Sequence, residues 1–363
     1  MRLSAILPEV SPAFPVLARQ SAPNASGALR FSGIGVDLFK QQMTPQADTP
    51  PQITWLLREP EVMLPLALLI KARFPQGVPI LSIGASDFSE PWSLRHVLNL
   101  TDKAFGQPPS AGRYPIEGIE LSPYRVAIAQ AGYIELEQRP KNELGSANDA
   151  LRQFASDLMV PNRDDWSMDS VFVPYDGGGS SVPAVAAEAL LPNGVVPMQD
   201  GFAWHQVDAA LRDSVRYTRG SLEIFASKNN TPAQQRVVLL RNVFPYIKDR
   251  LANGGQTLLD LVGQQLAPGS LLVVGMMDKE TDAEGKRHLI QRGLQDFLDV
   301  YGNNPVAHLV AGMMAHSKAY SSLFFDINPM LEHAGFKPLA KDQLAPFLGT
   351  AAEGRIWVKK EVP

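Results

Sequence analysis

Apolar residues recur along this chain in two alternating patterns from about residue 51 onward. Residues 58–74 carry them at helical spacing, with Pro65 as a potential kink. Residues 78–83 (VPILSI) form a short unbroken apolar run that stops at Gly84, as expected of a strand buried on both faces. A helix is predicted over 89–105, then a strand over 116–121 (IEGIEL) with an acid near its end. Ser122 as N-cap and Pro123 at the first helical position open another helix that runs to about Gly132. Residues 237–240 (VVLL) and 271–275 (LLVVG) read as further buried strands, with a helix over 257–266 and a Pro268-Gly269 turn between them. A helix over 328–333, stopped by Ala334-Gly335, and a strand over 355–359 (RIWVK) complete the pattern.

Strands alternating with helices predict a doubly wound α/β fold, a mainly parallel sheet covered on both faces. Residues 1–50 are rich in Ser, Pro, Ala and Gln without sustained periodicity, and are expected to be an irregular N-terminal extension. A single domain over 51–360 is expected to follow. Two stretches exceed a minimal plan and are expected to be insertions: one near 140–205, rich in turn residues, and one near 280–325, with one or two extra helices.

Composition narrows the function classes. The 363 residues carry 33 basic and 37 acidic side chains, a formal net charge of -4, which disfavours a nucleic-acid partner. Cysteine is absent, so thiolate catalysis and disulfides are excluded. No apolar run reaches the roughly 18 residues of a spanning helix, and the first residues lack a continuous apolar segment of signal-peptide type. No membrane partner and a cytoplasmic location are therefore expected. The six histidines show no HxH or HExxH spacing, and no metal is expected. Asp176-Gly-Gly-Gly-Ser-Ser181 lacks the lysine and the strand-to-helix setting of a phosphate loop, and reads as a turn.

Candidate chemistry lies where the strands end. Open parallel sheets bind ligands beyond their carboxyl ends. The first strand ends in Ile83-Gly84-Ala85-Ser86, small residues that let a cofactor approach the backbone. The second ends at Glu120, placed to accept hydrogen bonds from both hydroxyls of an adenosine ribose. On these features alone NAD and S-adenosylmethionine are equally suited.

Four ordered segments point further. Gln52-Ile-Thr54-Trp-Leu-Leu-Arg58 resembles the Asn-x-Thr-x-Phe-Phe-Arg segment of the chemotaxis-receptor (CheR-type) glutamate O-methyltransferases. The run from Ile80 through Gly84 to Glu90-Pro-Trp-Ser93-Leu resembles that family's Ser-x-Gly-Glu-Glu-Pro-Tyr-Ser-Leu motif. Ile119-Glu120-Leu-Ser122 and the later Ala131-Gly-Tyr133 resemble its Asp-Ile-Asp strand end and downstream Gly-x-Tyr. Leu240-Arg241-Asn242-Val243-Phe-Pro-Tyr246 resembles its Cys-Arg-Asn-Val-x-x-Tyr segment. A weaker likeness joins Val215 through Ser221-Leu222 to its Arg-x-Asn-Leu.

The resemblance implies a Rossmann-like class I methyltransferase fold, a seven-stranded mainly parallel sheet whose last strand is antiparallel. It implies S-adenosylmethionine as cofactor, S-adenosylhomocysteine as product, and no metal. By the same resemblance Gln52, Thr54 and Arg58 would reach the methionine end, Arg58 pairing with its carboxylate. Glu90 would face the ammonium group and Glu120 the ribose, with Gly84 in the loop between. Ser221 and Leu222 would flank the adenine. Arg241 and Asn242 would lie near the methionine portion, and Tyr246 and Arg241 would orient the methyl acceptor, a carboxylate or similar group on a partner that includes proteins among its candidates.

The chain departs from the family in places. Phe88 and Ser89 stand where the family has Gly-Glu, which predicts a bulkier first loop. Glu120 is longer than the usual Asp, Ser221 replaces an Asn, and Pro245 precedes the tyrosine. The family's N-terminal helical domain has no room in 50 irregular residues, and no counterpart of its small β-subdomain is evident. An acceptor other than a chemoreceptor is therefore expected. Two readings stand beside it: a catalytically inactive sensor or scaffold that binds the cofactor, and an NAD-dependent dehydrogenase.

Overall fold

The structure is a computed structural model that describes residues 56–138, 142–176, 183–185, 202–220, 234–241, 256–275 and 327–361. Its centre consists of three tetrapeptides in which every side chain is buried: β1 (Ile80–Ile83), β7 (Val237–Leu240) and β8 (Leu271–Val274). Flanking them are β2 (Ile116–Glu120), β6 (Val215–Arg219), β9 (Phe336–Pro338) and β10 (Ile356–Lys359). The sheet order is β6-β2-β1-β7-β8-β10-β9. Every pairing from β6 through to β8 is parallel. β10 runs antiparallel to both β8 and β9. The expected seven-stranded, mainly parallel sheet with an antiparallel last strand is present.

The strand alternation sorts the core onto two faces. Ile80, Val237, Leu239, Leu271 and Val273 join one cluster with α1 (Pro60–Arg73), α2 (Ser89–Ala104) and α4 (Glu143–Asp157). Leu81, Ile83, Val238, Leu240, Leu272 and Val274 join the other with α6 (Gln256–Gln265) and α7 (Asn328–His333). Both faces are covered, so the sheet is doubly wound. The chain moves outward from β1 through β2 to β6, then returns to place β7 on the other side of β1. The switch point lies between β1 and β7, and the crevice at their carboxyl ends is where such sheets bind ligands.

Several boundaries shift from the sequence reading. α1 begins at Pro60 rather than 58, because Leu57 and Glu59 adopt left-handed backbone conformations and Pro60 takes the first turn. It runs through Pro65 without ending there. Ser122 caps α3 (Pro123–Ala131) as expected, and Gly132 closes it with a left-handed φ of 81°.

The region around 140–205 carries regular structure beyond the turns its residues suggest. Together with β3 (Tyr133–Glu137), it supplies β4 (Phe172–Pro174) and β5 (Phe202–Val207), a three-stranded antiparallel sheet with β5 in the middle. A small β-sheet therefore exists where the sequence suggested none. It packs through Ile134, Leu136, Phe172 and Val207 onto the same cluster as α2, and α5 (Ala209–Asp213) leads from it into β6. The extension 1–50 and the second insertion, 280–325, lie outside the described residues. Among the described residues no helix is long and apolar enough to cross a membrane.

Candidate functional site

The loop after β1 bends sharply. Gly84, Ser86 and Phe88 all have positive φ, at 69°, 55° and 67°. Two such conformations fall on residues that carry a Cβ, a local strain held by surrounding contacts. The N–H groups of Gly84 and Ala85 both donate to the Ile119 carbonyl on β2. Ser86 N–H donates to Glu120 Oε2 at 2.8 Å, and Ser122 N–H donates to Glu120 Oε1 at 2.9 Å. Arg125, on α3, donates to the Ser86 hydroxyl. Glu120 thus ties the two loops at the carboxyl ends of β1 and β2. Half-buried, it keeps lone pairs beyond those two bonds, since a carboxylate offers about four acceptor positions. Beside it Leu121 is 64% exposed, an apolar side chain on the rim of the crevice.

The bulk expected of Phe88 is absent from the crevice, which corrects the reading of that loop. The ring is fully buried and turned under β2, with its centroid 5.0 Å from that of Tyr217 and 6.3 Å from that of Trp92. Gly118 on β2 leaves the space it occupies: a Cβ there would collide with the Phe88 ring. The following Ser89 opens α2, its N–H donating to Asp87 Oδ1 at 3.0 Å.

A second group of charges lies at the carboxyl ends of β1 and β7. Arg241, the first residue past β7, has a side chain only 1% exposed. It meets Glu90 of α2 at 2.7 Å and Glu59 at 3.5 Å, and donates to the Arg58 carbonyl at 2.5 Å. Glu59 also pairs with Arg355 at 2.6 Å, just ahead of β10, and lies 4.0 Å from Arg58 Nε. Burial works against the charge on Arg241, but Glu90 and Glu59 outweigh it and its pKa is raised. Arg241 Nε is buried and has no hydrogen-bond partner among the described residues. Ser82 donates its hydroxyl to Glu90 Oε1 at 2.9 Å, so both oxygens of Glu90 have protein partners.

The structure therefore gathers Arg58, Gly84, Glu90, Glu120 and Arg241 at the carboxyl ends of adjacent strands. Glu90 faces Arg241 and Ser82, and Arg241 is enclosed rather than open to an acceptor. Gln52, Thr54, Ser221, Leu222, Asn242 and Tyr246 lie outside the described residues. β6, which leads to Ser221 and Leu222, pairs with β2 so that Arg219 stands opposite Glu120. Sequence reasoning gave no role to Glu59, Ser82 or Arg125, and placed Ser86 in the loop without its bond to Glu120. Ser82 left a signal, a hydroxyl within an apolar tetrapeptide; Glu59 and Arg125 left none that spacing reveals.

No protein-family model matches the chain, and no curated protein sequence matches it. Among solved structures it is similar to a protein described as exported from Bordetella parapertussis, at 13% identity over 84% of this chain and 69% of that one, TM-score 0.34. It is similar to a protein described as an O-methyltransferase from Nostoc punctiforme, at 12% identity over 84% of this chain and 57% of that one, TM-score 0.33. It is also similar to the Haemonchus contortus phosphoethanolamine N-methyltransferase 2, solved with phosphomonomethylethanolamine and S-adenosylhomocysteine, at 11% identity over 82% of this chain and 52% of that one, TM-score 0.27. The matches span between about half and about two thirds of the length of those proteins, too distantly to transfer a function. The strand order, with one antiparallel strand inserted between β8 and β9, is that of the Rossmann-like class I methyltransferase fold.

Proposed function

We propose that this chain binds S-adenosylmethionine in the crevice at the carboxyl ends of β1, β2 and β7 and transfers its methyl group to an acceptor. One observation carries the reading: the Glu120 carboxylate ends β2 beside the switch point, tied to the loop after β1, with acceptor capacity to spare for a ribose. The motif resemblance to chemotaxis-receptor methyltransferases selects this cofactor over NAD and supports the finer assignment to that type. The sulfonium supplies the methyl group for an in-line displacement, which leaves the protein to position the partners and exclude water. Arg58, Gln52 and Thr54 bind the methionine end, and Ser221 and Leu222 the adenine. Glu90 and Asn242 lie along the methionine portion, and Tyr246 orients the acceptor. Arg241, buried on Glu90 and Glu59, acts by holding Glu90 in place. The acceptor is a carboxylate or similar group other than a chemoreceptor glutamate.

A second reading, a cofactor sensor without transfer, rests on Phe88 and Ser89 standing where the chemotaxis-receptor methyltransferases have Gly-Glu. Calorimetric titration with S-adenosylhomocysteine, S-adenosylmethionine and NAD tests the shared premise. Micromolar binding of the first two, about -7 to -8 kcal/mol, is expected, with none for NAD. Absence of binding at high ligand concentration overturns both readings.

A further inference from the structure

The turn 56–59 is held in an unfavourable backbone. Leu57 and Glu59 have φ of 51° and 55°, conformations that residues with a Cβ seldom adopt and that persist where the surroundings over-determine them. Five contacts fix this turn. Leu56 N–H donates to Glu143 Oε1 at 2.5 Å, and Leu57 N–H donates to Ser93 Oγ at 2.9 Å. The Arg58 carbonyl accepts from Arg241, and the Glu59 carboxylate pairs with Arg241 and Arg355. The last three contacts belong to the charge network of the crevice. The first does not: Glu143 opens α4, outside the main sheet, and its other oxygen accepts from Glu137 N–H at the end of β3 at 3.0 Å. One carboxyl thus joins the turn that presents Arg58 to the small antiparallel sheet.

We propose that Glu143 is a positioning residue, whose carboxyl holds the turn 56–59 in the conformation that presents Arg58 to the ligand. The proposal rests on the reading that Arg58 faces a bound cofactor. The chemistry around Glu143 adds a pH dependence. Its carboxyl is buried, and desolvation pushes its pKa up to about 8; the N–H groups of Glu137 and Leu56 oppose this, while the charges of Asp87, on the loop after β1, and of Glu137 add to it. Opening the turn would return the group to water and to an ordinary carboxyl pKa, so the open state gives up its proton first. Linkage then makes opening progressively easier as pH rises from about 4.5, the ordinary value, to about 8, and constant above that.

Amide hydrogen exchange of the whole chain, with no ligand added, reads the turn directly. In the parent, the Leu56 and Leu57 amides should be protected, and that protection should fall with rising pH across this window beyond the intrinsic change in exchange rate. Glu143→Ala should raise exchange at these two amides by roughly tenfold or more, the loss of a bond to a carboxyl, while Val238 to Leu240 in β7 stay protected. Glu143→Gln keeps the size and one acceptor; it should retain partial protection and lose the pH dependence, and it stands in if the Ala variant fails to fold. In parallel, S-adenosylhomocysteine affinity should fall roughly tenfold in Glu143→Ala, with the Gln variant intermediate. Parent-like exchange at Leu56 and Leu57 in both variants overturns the proposal, as does parent-like affinity in a variant whose turn has opened. A parent that binds no adenosine ligand removes the cofactor reading instead, and the exchange arm alone then decides whether Glu143 holds the turn.

Discussion

Gly118 and Phe88 show how one small residue sets the shape of the crevice. The Phe88 ring fills the space that a side chain at 118 would need, and the Ala85 Cβ stands 3.2 Å from that same point. Gly118→Ala should destabilise the fold by about 1–3 kcal/mol, the usual cost of overpacking, measured as a lower denaturation midpoint at unchanged slope. Adding Phe88→Leu should recover part of that loss, because the two positions share one volume. Equal stability of parent and Gly118→Ala would place the ring elsewhere. Glu120 is the complementary test in the crevice itself. Glu120→Ala should weaken S-adenosylhomocysteine binding by about 1.5–3 kcal/mol, as for bonds to a charged group, with Glu120→Asp milder. Part of that loss belongs to the loop, since Ser86 and Ser122 lose their acceptor as well. Unchanged affinity in a folded Ala variant would put the ribose elsewhere. Glu120 was legible in the sequence because an acid at a strand end is a local feature. The path of Phe88 was not, because it depends on a glycine thirty positions away on the neighbouring strand.

At the scale of elements, the ion pairs of Arg241 hold together parts of the chain far apart in sequence: the turn before α1, α2, the end of β7 and, through Glu59, the residue ahead of β10. Removing the central charge leaves the largely buried Glu90 carboxylate, among the described residues, with the Ser82 hydroxyl but no cation, while Glu59 keeps Arg355. Arg241→Met should therefore cost about 3–5 kcal/mol of stability, the penalty of an uncompensated buried charge. Pairing it with Glu90→Leu should cost less than the sum of the two single changes. Additive losses in chemical denaturation would show that Arg241 and Glu90 are not coupled. The strands this network joins were the readable ones. ILSI, VVLL and LLVV are buried on both faces, so an unbroken apolar run marks each of them. The strands of the small sheet and β6 were not readable. YIELE, FAWHQV and VRYTR mix polar and apolar side chains, because they lie at sheet edges or face water on one side. Their existence is fixed by pairing with partners distant in sequence. α1 kept Pro65 because packing of Val62, Leu66 and Ile70 into the core outweighs one lost backbone bond.

For the whole molecule, the sheet has the strand order of the Rossmann-like class I methyltransferase fold, and a fold by itself assigns neither a ligand nor a transfer. The doubly wound, mainly parallel architecture followed from the alternation of strands and helices, and the seven strands with an antiparallel last one from the motif resemblance; the strand order and the switch point came only with the structure. The acceptor was not legible, since a substrate is recognised by residues from separate loops that no spacing rule connects. The expectation of an acceptor other than a chemoreceptor is open to a direct test. Incubation of this protein with radiolabelled S-adenosylmethionine and a receptor cytoplasmic fragment should give no efficient labelling, and robust labelling would overturn that. Tyr246 separates enzyme from sensor. It follows Arg241-Asn242 at the spacing of the family's active-site tyrosine, and Arg241 lies at the carboxyl end of β7, beside the switch point. If the chain is an enzyme, Tyr246→Phe should leave S-adenosylhomocysteine affinity nearly unchanged and lower turnover. Loss of one positioned hydrogen bond corresponds to about 2–4 kcal/mol of transition-state stabilisation, or roughly thirtyfold to a thousandfold in rate. A hydroxyl that only packs gives a variant with parent-like turnover. A sensor gives no transfer to any acceptor in parent or variant while binding persists. The decisive comparison is turnover against affinity in the same preparation: a variant that loses both in proportion has lost its fold or its cofactor, and only a loss confined to turnover places the Tyr246 hydroxyl at the methyl group.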